Sequence, residues 1–211
     1  MMKWFSILVL VMSILNISCA MKMKKDGSDS LGSDELRGIP MGWETKAAIR
    51  DIRKNKTTQV TIDLIAIKNQ KLRLEASATL GYQVGSLVMS SNEFIAVIYP
   101  QKKIFKGPLN ERSLAKTFNI PIPPTALYSI AYDEPIRGWK CQFDPNKVVS
   151  LCDGGIAKVE WLNRKEGAKL IKISSAAIEI TWFFKAPEPK ELTPELFVAE
   201  LPNGYQVQEI R

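Results

Sequence analysis

The sequence predicts a mainly β fold: an open antiparallel β-barrel of about ten strands with short helices across one side. Three features point there. Apolar and polar residues alternate with period two in two blocks, 58–108 and 138–210. The turns within each block are short, and neither block supplies the crossovers of a dozen or so residues that a parallel sheet requires. Between the blocks lie two short apolar-faced segments, 111–118 and 125–132, separated by Pro121, Pro123 and Pro124 and placed to cover one mouth of a sheet.

The N-terminus comes first in the chain. It opens Met1-Met2-Lys3, runs apolar from Trp4 to Leu15 with Ser6 and Ser13 interrupting, and reaches Cys19. A basic start, an apolar core and a small residue before a cleavage point mark residues 1–18 as a secretory signal. The run is shorter than the ~20 residues that span a bilayer. The small residue stands directly before a cysteine, and Leu15-Asn16-Ile17-Ser18-Cys19 resembles a bacterial lipobox. Asn16 departs from the pattern, which has an apolar residue at that place. The resemblance implies that the Cys19 thiol is acylated and that Cys19 becomes the mature N-terminus. Each buried acyl methylene contributes ~0.8 kcal/mol, so two or three chains anchor stably. Ala20 follows, where the inner-membrane retention residue of enterobacteria is aspartate, which implies the periplasmic face of the outer membrane. An ordinary signal peptide with an incidental cysteine is the alternative.

Removing residues 1–18 leaves 193 of the 211 residues, enough for one sizeable domain, and lowers the formal charge from +7 to +6 with Lys3. A modest positive balance favours anionic lipid surfaces. It is not gathered into an arginine-rich block, so nucleic acid is not an expected partner. The chain has no histidine, which removes Ser-His-Asp and Cys-His catalysis and the commonest metal ligand. No paired carboxylates stand at a recognisable spacing and no glycine-rich phosphate loop occurs; Gly154-Gly155 reads as a turn. Neither enzyme activity, nor a metal, nor a cofactor is expected. Cys141 and Cys152 bracket Asp144-Pro145-Asn146-Lys147, a turn sequence. In an oxidising compartment this pair reads as a disulfide stapling adjacent strands across a hairpin. The alternative, a metal site, lacks further Cys or His ligands.

Residues 19–42 form a tether, flexible by composition. Lys22, Lys24 and Lys25 lie beside the anchor, where they could meet lipid phosphates or simply be solvated. The domain spans 43–211. Residues 43–55 place Ala48, Ile49 and Ile52 on one helical face and predict a short amphipathic helix anchored by Trp43. From Thr58 the period is two, with Val60, Ile62, Leu64 and Ala66 on one face. After a turn at Asn69-Gln70, Lys71 to Ser77 alternates with Leu72, Leu74 and Ala76 inward. Further strands read as 84–90, 94–99 and 103–108. Asn110 and Thr125 are placed to cap the two short helices. Strands resume at Gly138-Trp139, then at 156–162, about 170–173 and 178–184. Thr193-Pro194 reads as the start of one helical turn, and 202–210 is the last strand.

This order resembles the lipoprotein-localisation family of the bacterial envelope, the LolA carrier and the LolB receptor. The local matches are Lys71-Leu72-Arg73-Leu74-Glu75, Leu80-Gly81, Phe118-Asn119-Ile120-Pro121-Ile122-Pro123 and Pro202-Asn203-Gly204-Tyr205. The resemblance implies an unclosed antiparallel β-barrel wrapped around an apolar cavity with the helices as a lid, holding acyl chains without chemistry. A chain with its own lipid looks more like LolB, which implies an outer-membrane-anchored protein that receives or inserts lipoproteins, with a soluble LolA-like periplasmic carrier as a possible partner. The cysteine-stapled hairpin has no counterpart in that pattern. The expected cavity lining is Ile62, Leu64, Leu72, Leu74, Leu87, Phe94, Leu127, Ile130, Ile180 and Trp182; period-two alternation fits a filled core equally well. In LolB a loop between early strands touches the bilayer. The equivalent stretch is Thr79 to Tyr82, with Leu80 and Tyr82 as an apolar, interfacial tip; an ordinary hairpin with Leu80 tucked into the rim is the alternative. Two other functions stay open: an anchored module for another lipid or apolar ligand, and a structural or assembly lipoprotein with a filled core.

Overall fold

In the computed structural model, residues 38–210 are described. The expected signal peptide, the expected acylation site Cys19 and most of the expected tether lie outside them. The expected helix at 43–55 is instead strand β1 (Met41–Asp51), which begins two residues inside the expected tether. Trp43, Thr45, Ala47 and Ile49 alternate with Glu44, Lys46, Ala48 and Arg50, so the segment carries period two as well as a helical face. Pairing decides between them. β1 hydrogen-bonds along its whole length to β2 (Lys56–Ile67) and over Thr45–Asp51 to β11 (Ile178–Phe184), so both its backbone edges are satisfied.

β1 thereby joins two meanders. On one side lie β2, β3 (Lys71–Ala78), β4 (Gln83–Met89), β5 (Glu93–Ile98) and β6 (Lys103–Pro108). On the other lie β11, β10 (Ala168–Ser175), β9 (Ala157–Lys165), β8 (Val149–Asp153) and β7 (Lys140–Phe143). Helices α1 (Ser113–Phe118) and α2 (Ala126–Tyr132) fill the gap in sequence between them. Among the described residues thirteen strands form one unclosed sheet ending at β7 and at β13 (Gln206–Glu209), with the short β12 (Glu188–Pro189) beside the start of β1. The fold is the open, mainly β architecture expected, with one exception to antiparallel pairing. β13 runs parallel to β6. It gets there along a strap that crosses the outside of the sheet, where the Arg73 guanidinium donates to the Glu195 and Leu196 carbonyls at 3.3 and 3.4 Å. Gly107 lets the strap's end lie close, because a Cβ there would collide with the Ile210 carbonyl oxygen. Within the strap, the expected helical turn at Thr193-Pro194 is an isolated turn, with Leu196 N–H donating to Thr193 O at 3.2 Å.

Successive turns alternate between two ends of the sheet. At one end the inner face is packed solid. Met41, Trp43, Leu64, Ala66, Leu72, Met89 and Phe94 are buried there against α2. Trp43 meets Tyr132 edge-on with ring centroids 5.2 Å apart, and the Tyr132 hydroxyl donates to Ala66 O at 2.9 Å. Lys68 pairs with Glu134 at 2.6 Å just beyond the helix. α2 thus plugs this end. Cys141 and Cys152 face each other across the β7–β8 ladder and are joined by a disulfide. Among the described residues no helix is long and apolar enough to cross a membrane.

Candidate functional site

Toward the other end the inner face opens into a cavity of about 190 Å³. Its walls come from β1 (Ala47, Ile49), β2 (Val60, Ile62), β3 (Leu74, Ala76), β4 (Val84, Gly85, Leu87), β10 (Ile173) and β11 (Ile180, Trp182), with Ile98 at the end of β5. Leu114, Phe118, Ile120, Ile122 and Leu127 cover it from α1, the connector and α2. The register explains the space. Across the ladder Ile62 faces Ala76, Ala76 faces Gly85, and Ala47 faces Val60, so small side chains fall side by side. A Cβ on Gly85 would stand 3.3 Å from Val97 O and 3.8 Å from the Phe118 ring, so a side chain there would crowd the neighbouring strand and reach the lid.

Of the expected lining residues, Ile62, Leu74, Leu87, Leu127, Ile180 and Trp182 stand in the cavity wall. Leu64, Leu72, Phe94 and Ile130 do not. Leu64, Leu72 and Phe94 lie on the same inner face but nearer the plugged end, and Ile130 lies on α2; all four are fully buried in the core. Not among the expected lining residues were Ala47, Ile49, Val60, Ala76, Val84, Gly85, Ile98, Ile173 and the lid residues of 114–122. Small residues on an inward face are the signal that was there to be used.

The cavity carries almost no polar function. The indole N–H of Trp182 donates to Thr45 Oγ1 at 2.6 Å, and that hydroxyl donates to Ile62 O at 2.9 Å. Both polar groups are buried and satisfied inside the wall, which leaves the indole ring as hydrocarbon-like surface. A water there would lack the two to four polar partners that hold buried water, so the space favours an apolar occupant. Ile49, Leu74, Ala76, Val84, Phe118 and Ile120 are only partly buried and form the mouth.

The Thr79–Tyr82 loop stands at this mouth, beyond the ends of β3 and β4. Leu80 is 84% exposed and Tyr82 71%, so Leu80 is not tucked into the rim. Gly81, at φ +81°, occupies the left-handed conformation that glycine adopts freely, and its N–H donates to Ala78 O at 2.8 Å.

One buried charge lies apart from the cavity. Lys169 is 4% exposed, donates to Ala131 O at 2.6 Å and pairs with Asp133 at 3.2 Å. Asp133 also meets Arg164 at 3.4 Å. Burial pushes the Lys169 amine down to about 8 against the pull of Asp133. The cluster ties the C-terminus of α2 to β9 and β10 at the plugged end. Lys169 shares the period-two face of Ile171 and Ile173, the clue in the sequence to its burial. Among the described residues no group of carboxylates or cysteines could hold a metal ion.

No family model matches the sequence, and no curated protein matches it. Solved structures do. A LolA superfamily protein from Nitrosomonas europaea aligns with a TM-score of 0.51 at 9% identity, covering 79% of this chain and 94% of that one. An uncharacterized conserved protein from Thermus thermophilus aligns at 0.41 and 10% identity, covering 84% and 94%. A protein described as a putative outer membrane lipoprotein-sorting protein domain, from Vibrio parahaemolyticus, aligns at 0.40 and 6% identity, covering 77% and 92%. The open sheet with its covering helices is therefore a fold that this chain shares with a LolA superfamily protein.

Proposed function

We propose that the domain holds acyl chains of lipids or lipoproteins in the cavity without chemistry. Tethered through an acylated Cys19, it receives them at the periplasmic face of the outer membrane, as the LolB receptor does. The observation that carries this reading is a hollow walled by hydrocarbon and opening at one end of the sheet, where a packed core would be expected. Apolar burial gives affinity without orientation, about 0.8 kcal/mol per methylene, which suits a carrier that must also release. The fold shared with a LolA superfamily protein and the lipobox-like N-terminus support the same assignment. The exposed Leu80 and Tyr82 would touch the bilayer during transfer.

The test is binding of a fluorescent fatty acid to the delipidated full-length protein, with organic extraction of the protein as purified. Acyl lipids should be recovered, and the probe should bind. Ala76→Trp, which fills the mouth, should weaken the probe roughly tenfold or more, the effect of denying it two or three methylenes. A folded protein that binds no probe refutes the reading.

A further inference from the structure

The Leu80 loop is one of several turns around the cavity mouth. By strand register, the β1–β2, β3–β4, β5–β6, β8–β9 and β10–β11 connections all fall at this end. Two of them present further apolar tips. Ile156, between β8 and β9, is 78% exposed, and Ile52, between β1 and β2, is 43% exposed. Neither protrudes by default. A Cβ on Gly154 would collide with the Trp139 indole, and Gly155 sits at φ +80°, so this turn is packed from behind and directs Ile156 outward. The Ile52 N–H donates to Ala177 O at 3.0 Å, which ties the β1–β2 turn to the neighbouring β10–β11 turn.

Cations lie along the same rim. Arg53, Lys54 and Lys56 are exposed at the β1–β2 turn, and Lys102 at the β5–β6 turn. Lys54 is paired with Asp51 at 3.5 Å, and Asp153 at the β8–β9 turn is neutralised by Lys158 at 3.2 Å. Arg53, Lys56 and Lys102 have no carboxylate partner among the described residues. Large apolar side chains beside unneutralised cations, on the rim of an apolar mouth, complement an anionic lipid surface. The apolar groups suit the boundary between headgroups and acyl chains, and each cation near the phosphates adds attraction.

We propose that this rim docks on an anionic phospholipid bilayer. Ile52 and Ile156 enter the interface beside Leu80 and Tyr82, while Arg53, Lys56 and Lys102 meet lipid phosphates, so that the cavity opens onto the membrane. The inference builds on the acyl-holding reading for its purpose, but docking is measured separately.

The experiment is hydrogen exchange on the full-length chain reconstituted in nanodiscs of phosphatidylcholine, with or without phosphatidylglycerol. Phosphatidylglycerol should slow exchange in segments 51–57, 79–83 and 153–157. The triple variant Arg53→Gln, Lys56→Gln, Lys102→Gln should lose that slowing, since each cation near an anionic surface favours the docked state about fivefold and three together roughly 100-fold. Ile156→Glu, which keeps the cations, should reduce protection with both lipids. Exchange indifferent to phosphatidylglycerol, or protection unchanged in the triple variant, overturns the proposal. The triple variant should still bind the fluorescent fatty acid. A wild-type chain that docks but binds no fatty acid would sink the cavity reading and leave the docking edge standing.

Discussion

At its plugged end the inner face of the sheet carries Trp43, Leu64, Leu72, Met89 and Phe94; a few residues along the same strands, toward the mouth, it carries Ala47, Val60, Ala76 and Gly85. Both sets obey one alternation and face the same way. They differ in volume and in what lies opposite. α2 places Ile130 and Tyr132 in the plugged end, where aromatic rings fill the space, and turns Leu127 to the cavity. At the mouth the covering side chains arch over small residues that cannot meet them. Packing is therefore concentrated at one end and the proposed binding space at the other. A packed end can hold the sheet open around a hollow because the sheet is continuous through β1.

That division can be broken experimentally, beginning at the plugged end. Phe94 is completely buried there. Phe94→Ala should cost about 3–5 kcal/mol in urea unfolding, while the protein that remains folded keeps its affinity for an acyl probe. Loss of affinity at full stability would show that the two ends are not separable.

Lys169 sharpens the same point through pH. Its amine titrates at about 8 in the folded chain against an ordinary 10.5. Below pH 8 both states hold the proton and there is no slope. Between the two values the unfolded chain holds a proton that the folded chain has released, so stability rises with pH, by on the order of 3 kcal/mol if the interval is crossed. Above pH 10 the trend reverses: burial pushes the phenols of Tyr128 and Tyr132 up, so the unfolded chain ionises first. Urea unfolding between pH 8 and 10 should show the rise in the natural chain and not in Lys169→Met. An equal slope in both proteins would place the titrating group elsewhere.

Reducing the Cys141–Cys152 bridge, which spans 11 positions, should lower stability by about 2–3 kcal/mol. Because β7 and β8 contribute no cavity residue, thermal melts with and without reductant should shift while probe affinity holds. The smallest stability effect belongs to the mouth. Leu80→Glu should change unfolding free energy by no more than about 0.5 kcal/mol, since an exposed side chain has little packing to lose. It should bind acyl probe normally and fail to deliver it to vesicles; normal delivery would remove the loop from the mechanism.

Much of this architecture was legible in the residues. The alternation of 58–108 and 138–184, the proline-bounded helices and the paired cysteines each follow from local chemistry: a pleated strand has period two, proline ends a helix, and cysteines flanking a turn meet across it. Three things needed the tertiary structure. The 43–55 segment carries both periods, and it becomes β1 because β2 and β11 satisfy its two edges at once. The last strand pairs parallel to β6 because a strap brings it there from outside, a choice with no local signature. The cavity is the third. Alternation tells which face a side chain takes, but neither how far along the strand it lies nor how much volume stands opposite. Leu64 and Ile62 look alike in the sequence; the register sets Ile62 beside Ala76, where the cavity opens, and Leu64 one pair nearer the plugged end, where it is buried in the core.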